Sequence, residues 1–146
     1  DLSEHALATA WENANLNRFS QVSFVVANAF DYLRDKSDRG ERYDLIVLDP
    51  PAFAKNRASL PGAIKGYKEI NLRAMKMLED GGILVSCSCS QNMLPDLFKN
   101  TLQEAANDAR VSLQLLEWRG AGRDHPSLPA AGETHYLKCA ILRVLR

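Results

Sequence analysis

The sequence contains no apolar run of the roughly 18 residues needed to cross a bilayer, and no signal peptide opens it. It carries no excess of either charge: 18 Lys and Arg balance 18 Asp and Glu, a net charge of +0. Such a chain is a poor whole-surface binder of nucleic acid, which leaves only a local basic patch for that purpose. Cysteine is scarce, with only Cys87, Cys89 and Cys139. An odd count with two members one residue apart is a poor disulfide framework, because such strand positions do not reach bridging geometry easily. Reduced thiols in a cytoplasmic protein are the simpler reading. Internal repeats, low-complexity tracts and Pro/Gly/Ser-rich linkers are also missing, so 146 residues make at most one ordinary domain. The chain starts at Asp1 and enters a helical pattern almost at once, so we expect it to be a piece of something longer.

What is present reads as alternating helices and strands. The composition, 46% hydrophobic and 25% charged, is that of a globular protein. Ser3 is a fitting N-cap for a helix through Asn15. Gln21 to Ala29 is short and rich in Val and Phe, a strand pattern. Phe30 to Lys36 reads as a short helix, and Tyr43 to Leu48 as a strand halted by Asp49-Pro50-Pro51. Lys68 to Leu78 has helical spacing, Ile83 to Cys89 is a strand, and Leu94, Phe98, Leu102, Ala105 and Ala109 mark one helix face. Val111 to Trp118 and His135 to Val144 close the chain as strands with no helix between them. The order predicts an α/β fold: a mostly parallel sheet, covered on both faces, with an antiparallel last strand. Sheets of this class bind ligands beyond the carboxyl ends of their strands. Asn28, Asp49-Pro50-Pro51 and Cys89 all fall at such ends.

Four features could carry chemistry. Asp49 projects a carboxylate from a strand end into a turn made rigid by two prolines, whose flanking carbonyls are free to accept from a planar base. A plain strand stop, with the Asp capping the turn, is the alternative. Cys87 and Cys89 share a strand face, and Cys89 stands nearer the open end, where a thiol can meet a substrate. Packing as a small hydrophobe is the alternative, and it fits Cys87 and Cys139 well. A Cys-x-Cys pair without further ligands is weak for zinc, so no metal site is expected. Between residues 55 and 76 stand Lys55, Arg57, Lys65, Lys68, Arg73 and Lys76, with Glu69 the only acid. That run suits phosphate contacts or simply forms a solvated helix face. His125 lies in Asp124-His125-Pro126, where the acid could orient the ring, or it is ordinary polar surface.

Together these residues resemble class I S-adenosylmethionine-dependent methyltransferases, and within them the RlmI-type cytosine-5 methyltransferases of 23S ribosomal RNA. The likeness runs through DLSEHAL, ENANLN, LDPPAFAKNR, GYKEINLRAM, GGILVSCSCS, DHP and HYLK. It implies a Rossmann-like fold and S-adenosylmethionine as cofactor. Asp1 matches the acid that holds the cofactor's ribose, and Asn28-Ala29 match the adenine side, where the family often has Asp in place of Asn28. Asp49 and Pro50 match the motif beside the methyl group and the target base. Cys89 aligns with the covalent nucleophile, with Asp49 its catalytic partner at the base. Pro51, Phe53, Lys55, Tyr67, Lys68 and His125 are the substrate-side residues that the resemblance implies. It implies ribosomal RNA as partner, in the cytoplasm and away from membranes, and leaves a homodimer open.

The family's glycine-rich cofactor loop, with the first strands of the sheet and an RNA-binding PUA module, would precede Asp1. In this fold two strands would then lie between the Gln21 and Tyr43 strands, so this segment alone is expected to have two unpaired central edges, and neither to fold well nor to bind cofactor. The competing readings are a methyltransferase acting on a guanine or adenine nitrogen, which needs no thiol, and a non-catalytic RNA-binding relative.

Overall fold

Ser3 opens the first helix as its side chain allows: Oγ accepts from the Ala6 N–H at 3.1 Å, satisfying one of the helix's free donors. In the computed structural model, which describes residues 1–146, eight regular elements follow one another. They are α1 (Glu4–Leu16), α2 (Ala29–Asp38), β1 (Tyr43–Leu48), α3 (Leu60–Met77), β2 (Leu78–Ser88), α4 (Pro95–Ala109), β3 (Ser112–Arg119) and β4 (Lys138–Leu145). A single turn of 3-10 helix, Gly132–Thr134, precedes β4.

The four strands form one sheet in the order β1-β2-β4-β3. β1 and β2 pair in parallel, with Ile46 opposite Leu84 and Leu48 opposite Ser86. β4 runs antiparallel to both neighbours, setting Cys139 opposite Cys87 and Lys138 opposite Ser88. Three strands therefore point one way and the last reverses, as the missing helix before it predicts.

Period-two alternation decides what the sheet buries. Leu84, Ser86 and Ser88 of β2 and Lys138, Ala140, Leu142 and Val144 of β4 face a core closed by α3 and α4. From those helices come Tyr67, Ile70, Ala74 and Met75, then Phe98, Leu102, Ala105 and Ala106. The Tyr67 and Phe98 rings meet edge to face, 5.6 Å between centroids, an arrangement that adds to their area burial.

Three expectations are corrected. Gln21–Ala29 is not a strand. A strand is defined by its ladder, and this segment's backbone ties outside α2 are two, from the Ala27 N–H to the Asp1 carbonyl and from the Asp1 ammonium to the Val25 carbonyl. Val22, Val25 and Val26 are left about half exposed. Nor is the sheet covered on both faces: Leu45 and Val47, on the face away from α3 and α4, are 55% and 58% exposed, and α1 buries none of its residues. Finally, α3 begins at Leu60 rather than Lys68. Pro61 is tolerated in a first turn, where its missing N–H has no bond to lose. Gly66, whose absent side chain makes a poor helix signal, lets Phe53 approach: a Cβ there would sit 3.3 Å from Phe53 Cδ2.

Candidate active site

The carboxyl end of β1 and the loop before α2 meet at one edge of the sheet. They enclose a cavity of about 530 Å³ lined by Asp1, Asn28, Ala29, Asp49, Pro50, Pro51 and Phe53, with Phe30, Leu33, Leu48 and Ile70 as apolar floor. All five residues expected to hold the cofactor, distant in sequence, stand on this one wall. The cavity has the size and the lining, apolar with a few convergent polar groups, typical of a small-molecule site.

Asn28 and Asp1 are held in place locally. Asn28 caps α2: its Oδ1 accepts from the Phe30 N–H at 2.9 Å, which fixes the side chain at the rim and leaves its amide NH2 without a partner in the chain. Asp1 Oδ1 accepts from the Ser3 N–H at 2.8 Å. Asp49 follows the last residue of β1 and no donor of the chain meets its carboxylate. A nucleoside fits this set: its ribose hydroxyls can donate to the Asp1 carboxylate, an adenine amine to the second lone pair of Asn28 Oδ1, and its flat face can meet the apolar floor.

Cys89 stands one residue beyond β2, half-buried, and its thiol donates toward the Pro50 carbonyl at 3.8 Å. The structure thus brings together the thiol and the Asp-Pro-Pro turn. Cys87 is of another kind. Burial, and then its hydrogen bond with Cys139 across the ladder, pushes its thiol up to about 12, so it stays protonated in neutral solution.

Among the substrate-side residues, Pro51 and Phe53 line the cavity. Phe53 stacks between Phe30 and Tyr67, with centroids 5.7 and 4.7 Å away. Lys55 is exposed in the loop just beyond. Two residues are corrected. Tyr67 is fully buried, and its hydroxyl shares a hydrogen bond of 2.9 Å with Ser90 Oγ; it is a core residue out of reach of a substrate. Lys68 turns to α4, where its Nζ meets Asp108 at 2.9 Å and Glu104 at 3.4 Å. These acids, the Asp108 hydrogen bond first, raise its pKa. Arg73 is likewise held by Asp38 at 2.8 Å and Glu69 at 2.9 Å. The basic run is therefore partly spent within the fold, leaving Lys55, Arg57, Lys65 and Lys76 outside ion pairs. His125 lies in an exposed loop, its Nε2 3.6 Å from Asp124 Oδ2, and does not line the cavity.

Two residues escaped the sequence reading. Ser90 bonds to the Ala54 N–H as well as to Tyr67. Lys138 is buried with its ammonium on the carbonyls of Ser90 and Tyr136, at 2.5 and 2.7 Å. Burial, the larger influence, lowers its pKa, and the nearby Cys89 works against that. Each stands inside a quoted motif, SCSCS and HYLK, but no periodicity rule marks it.

Sheet order, the reversed last strand and a nucleoside-sized cavity at the strand ends define a class I methyltransferase fold. A model of the methyltransferase domain family matches residues 1–132, and the chain belongs to that family, whose cofactor is S-adenosylmethionine. It is 42% identical over 147 residues to the ribosomal RNA large subunit methyltransferase I of Escherichia coli (strain K12), covering 99% of this chain and 37% of that protein. The same protein from Shigella boydii serotype 18 matches equally. The chain thus spans little more than a third of the length of these relatives. Among solved structures, SMU.776 complexed with SAH superposes with a TM-score of 0.82 at 22% identity, covering 98% of this chain and 37% of that one. A methyltransferase homologue from Pyrococcus horikoshii gives 0.71 at 19%, covering 98% and 51%. At these identities the likeness is one of fold.

Proposed function

We propose that this chain forms the C-terminal part of the catalytic domain of a cytoplasmic enzyme that methylates carbon 5 of a cytosine in ribosomal RNA through a cysteine adduct. The observation that carries the reading is the Cys89 thiol set against the Pro50 carbonyl, one residue from the free Asp49 carboxylate. An enzyme that methylates an exocyclic amine needs the aspartate turn but no thiol there. That the chain is a part is supported by β1, which ends the sheet with an unpaired edge and exposed Leu45 and Val47, and by the unpaired Gln21–Ala29 segment. Further strands fit between the two.

S-adenosylmethionine would supply an electrophilic methyl group on a sulfonium and depart as the thioether; Asp1, Asn28, Ala29, Asp49 and Pro50 would hold it. Carbon 5 of cytosine is too weak a nucleophile on its own. The Cys89 thiolate adds to carbon 6, forming an S–C6 bond and moving the C5=C6 electron pair toward carbon 5, which can then take the methyl group. Asp49 hydrogen-bonds the base near N3 and stabilises its protonated form during the attack. Loss of the carbon-5 proton to a base and of the Cys89 sulfur from carbon 6 restores the ring and the thiolate. Pro51 and Phe53 wall the base, which must leave its stack to enter, and Lys55 is placed for the RNA backbone.

The test is the native protein with S-adenosylmethionine and ribosomal RNA, followed by nucleoside digestion and mass spectrometry. 5-Methylcytidine is expected, and C89A should keep cofactor binding while losing methyl transfer. A methylated guanosine or adenosine, or full activity in C89A, would overturn the assignment.

A further inference from the structure

We infer that Ser90 is a positioning residue that locks the Cys89 thiol against the Asp49-Pro50 turn, through a joint it shares with Ala54, Tyr67 and Lys138. The inference rests on the reading above, in which Cys89 and Asp49 act on one base.

The need for such a joint follows from where β2 stops. The ladder with β4 ends at Ser88 opposite Lys138, so Cys89 is the first residue that no strand pairing fixes. On the other side of the site, Asp49 likewise begins a loop, outside β1. Two reacting groups on two loop ends need a cross-tie, or their separation fluctuates with the loops.

Ser90 supplies that tie from three directions. Its Oγ accepts from the N–H of Ala54, in the loop that continues from Asp49-Pro50-Pro51, at 3.1 Å. The same hydroxyl shares a 2.9 Å hydrogen bond with the Tyr67 hydroxyl from α3. Its carbonyl accepts from the Lys138 ammonium of β4 at 2.5 Å. The three side chains are 1%, 0% and 3% exposed, so these bonds are shielded from water. Asn92 adds a second strut to the same loop, from Nδ2 to the Ala54 carbonyl at 3.4 Å.

An internal control shows that the bonding is not a by-product of burying serine. Ser86 and Ser88 lie just before Ser90, on β2 itself, equally buried, and their hydroxyls have no partner. Of these three hydroxyls, only the one next to Cys89 joins separate elements.

The experiment compares S90A, S88A and Y67F in the native protein, reading kcat and KM for methyl transfer together with thermal melting. S90A is expected to lower kcat about 10- to 100-fold with KM for S-adenosylmethionine within about twofold, as a misplaced reacting group does. S90T, which restores the hydroxyl, should recover much of the loss, and S88A should stay within about twofold of wild type. Y67F removes one bond of the joint and keeps its ring, so a drop of about 3- to 10-fold in kcat is expected even should S90A fail to fold. An S90A kcat equal to wild type, an equal loss in S88A, or in a poorly folded S90A background an unaltered Y67F, overturns the proposal. The wild-type product analysed alongside keeps the outcomes apart: a product other than 5-methylcytidine defeats the cytosine reading whatever these ratios show.

Discussion

The Cys89 thiol meets the Pro50 carbonyl at 3.8 Å across 39 residues of sequence. That approach exists because β1 and β2 are parallel neighbours, so their carboxyl ends emerge side by side. A thiol and a carboxylate turn that look unrelated along the chain thus share one edge of the sheet, the place where open α/β sheets hold their ligands.

Alkylation should tell the two neighbouring cysteines apart. The thiolate is the reactive species, and Cys87 is held as a thiol by burial and by Cys139. Iodoacetamide at pH 8 is therefore expected to label Cys89 before Cys87, and bound S-adenosylmethionine together with RNA should slow that labelling. Fragment-ion mapping of the peptide carrying both residues reads the order directly. Earlier modification of Cys87 would contradict the thiol placement.

Cys87 also predicts an alkaline limit to stability. Its ordinary value is 9.0, and the folded state raises it to about 12. The unfolded chain therefore loses this proton first, and the stabilisation present below pH 9 is progressively lost between pH 9 and 12. Denaturant unfolding of wild type and C87A between pH 7 and 11 checks this. The stability of C87A should fall less steeply above pH 9; parallel curves would remove Cys87 as the cause.

Asn28 has two duties that one pair of variants can separate. It caps α2 through Oδ1 and stands on the cofactor wall. N28A should cost about 1 kcal/mol of stability through the lost cap and weaken cofactor binding measured by calorimetry. N28D keeps a capping oxygen and the acid that the family often has there, so it should retain the stability and bind at least as well as N28A. Equal binding in wild type and N28A would take Asn28 out of the adenine contact.

The cavity wall holding Asn28 and Asp49, and Cys89 beside the Asp-Pro-Pro turn, were legible because strand ends can be read from where apolar runs stop, and the topology class says which ends matter. Tyr67 and Lys68 were not, because their roles depend on the phase of α3. Once that helix starts at Leu60, Tyr67 falls on the buried stripe with Ile70 and Ala74, and Lys68 turns to the acids of α4. Local reading missed the start because Gly62 and Gly66 argue against a helix, while the reason for Gly66 lies in Phe53, outside the window. Gln21–Ala29 failed in the opposite sense: its residues have strand propensity, but a strand also needs a neighbour, and none is paired with it.

Gly82 offers a way to lower stability while leaving the site untouched. It sits near the start of β2, and a Cβ there would lie 2.9 Å from the Glu79 carbonyl oxygen and 3.2 Å from that of Asp44. Both are backbone atoms, so no side-chain rotation relieves the clash; the Glu79–Gly82 stretch of β2 must shift, and its contact with Asp44 of β1 must give as well. G82A is expected to cost about 1–3 kcal/mol, the usual range for overpacking. Cys89 is seven residues further along, about 20 Å at the rise of a strand, so kcat at temperatures well below the melting transition should match wild type. S90A is expected to do the reverse, losing rate with a smaller loss of stability. If G82A slowed methyl transfer as much as S90A does, the rate would track global stability, and the joint at Ser90 would have no special claim on the thiol.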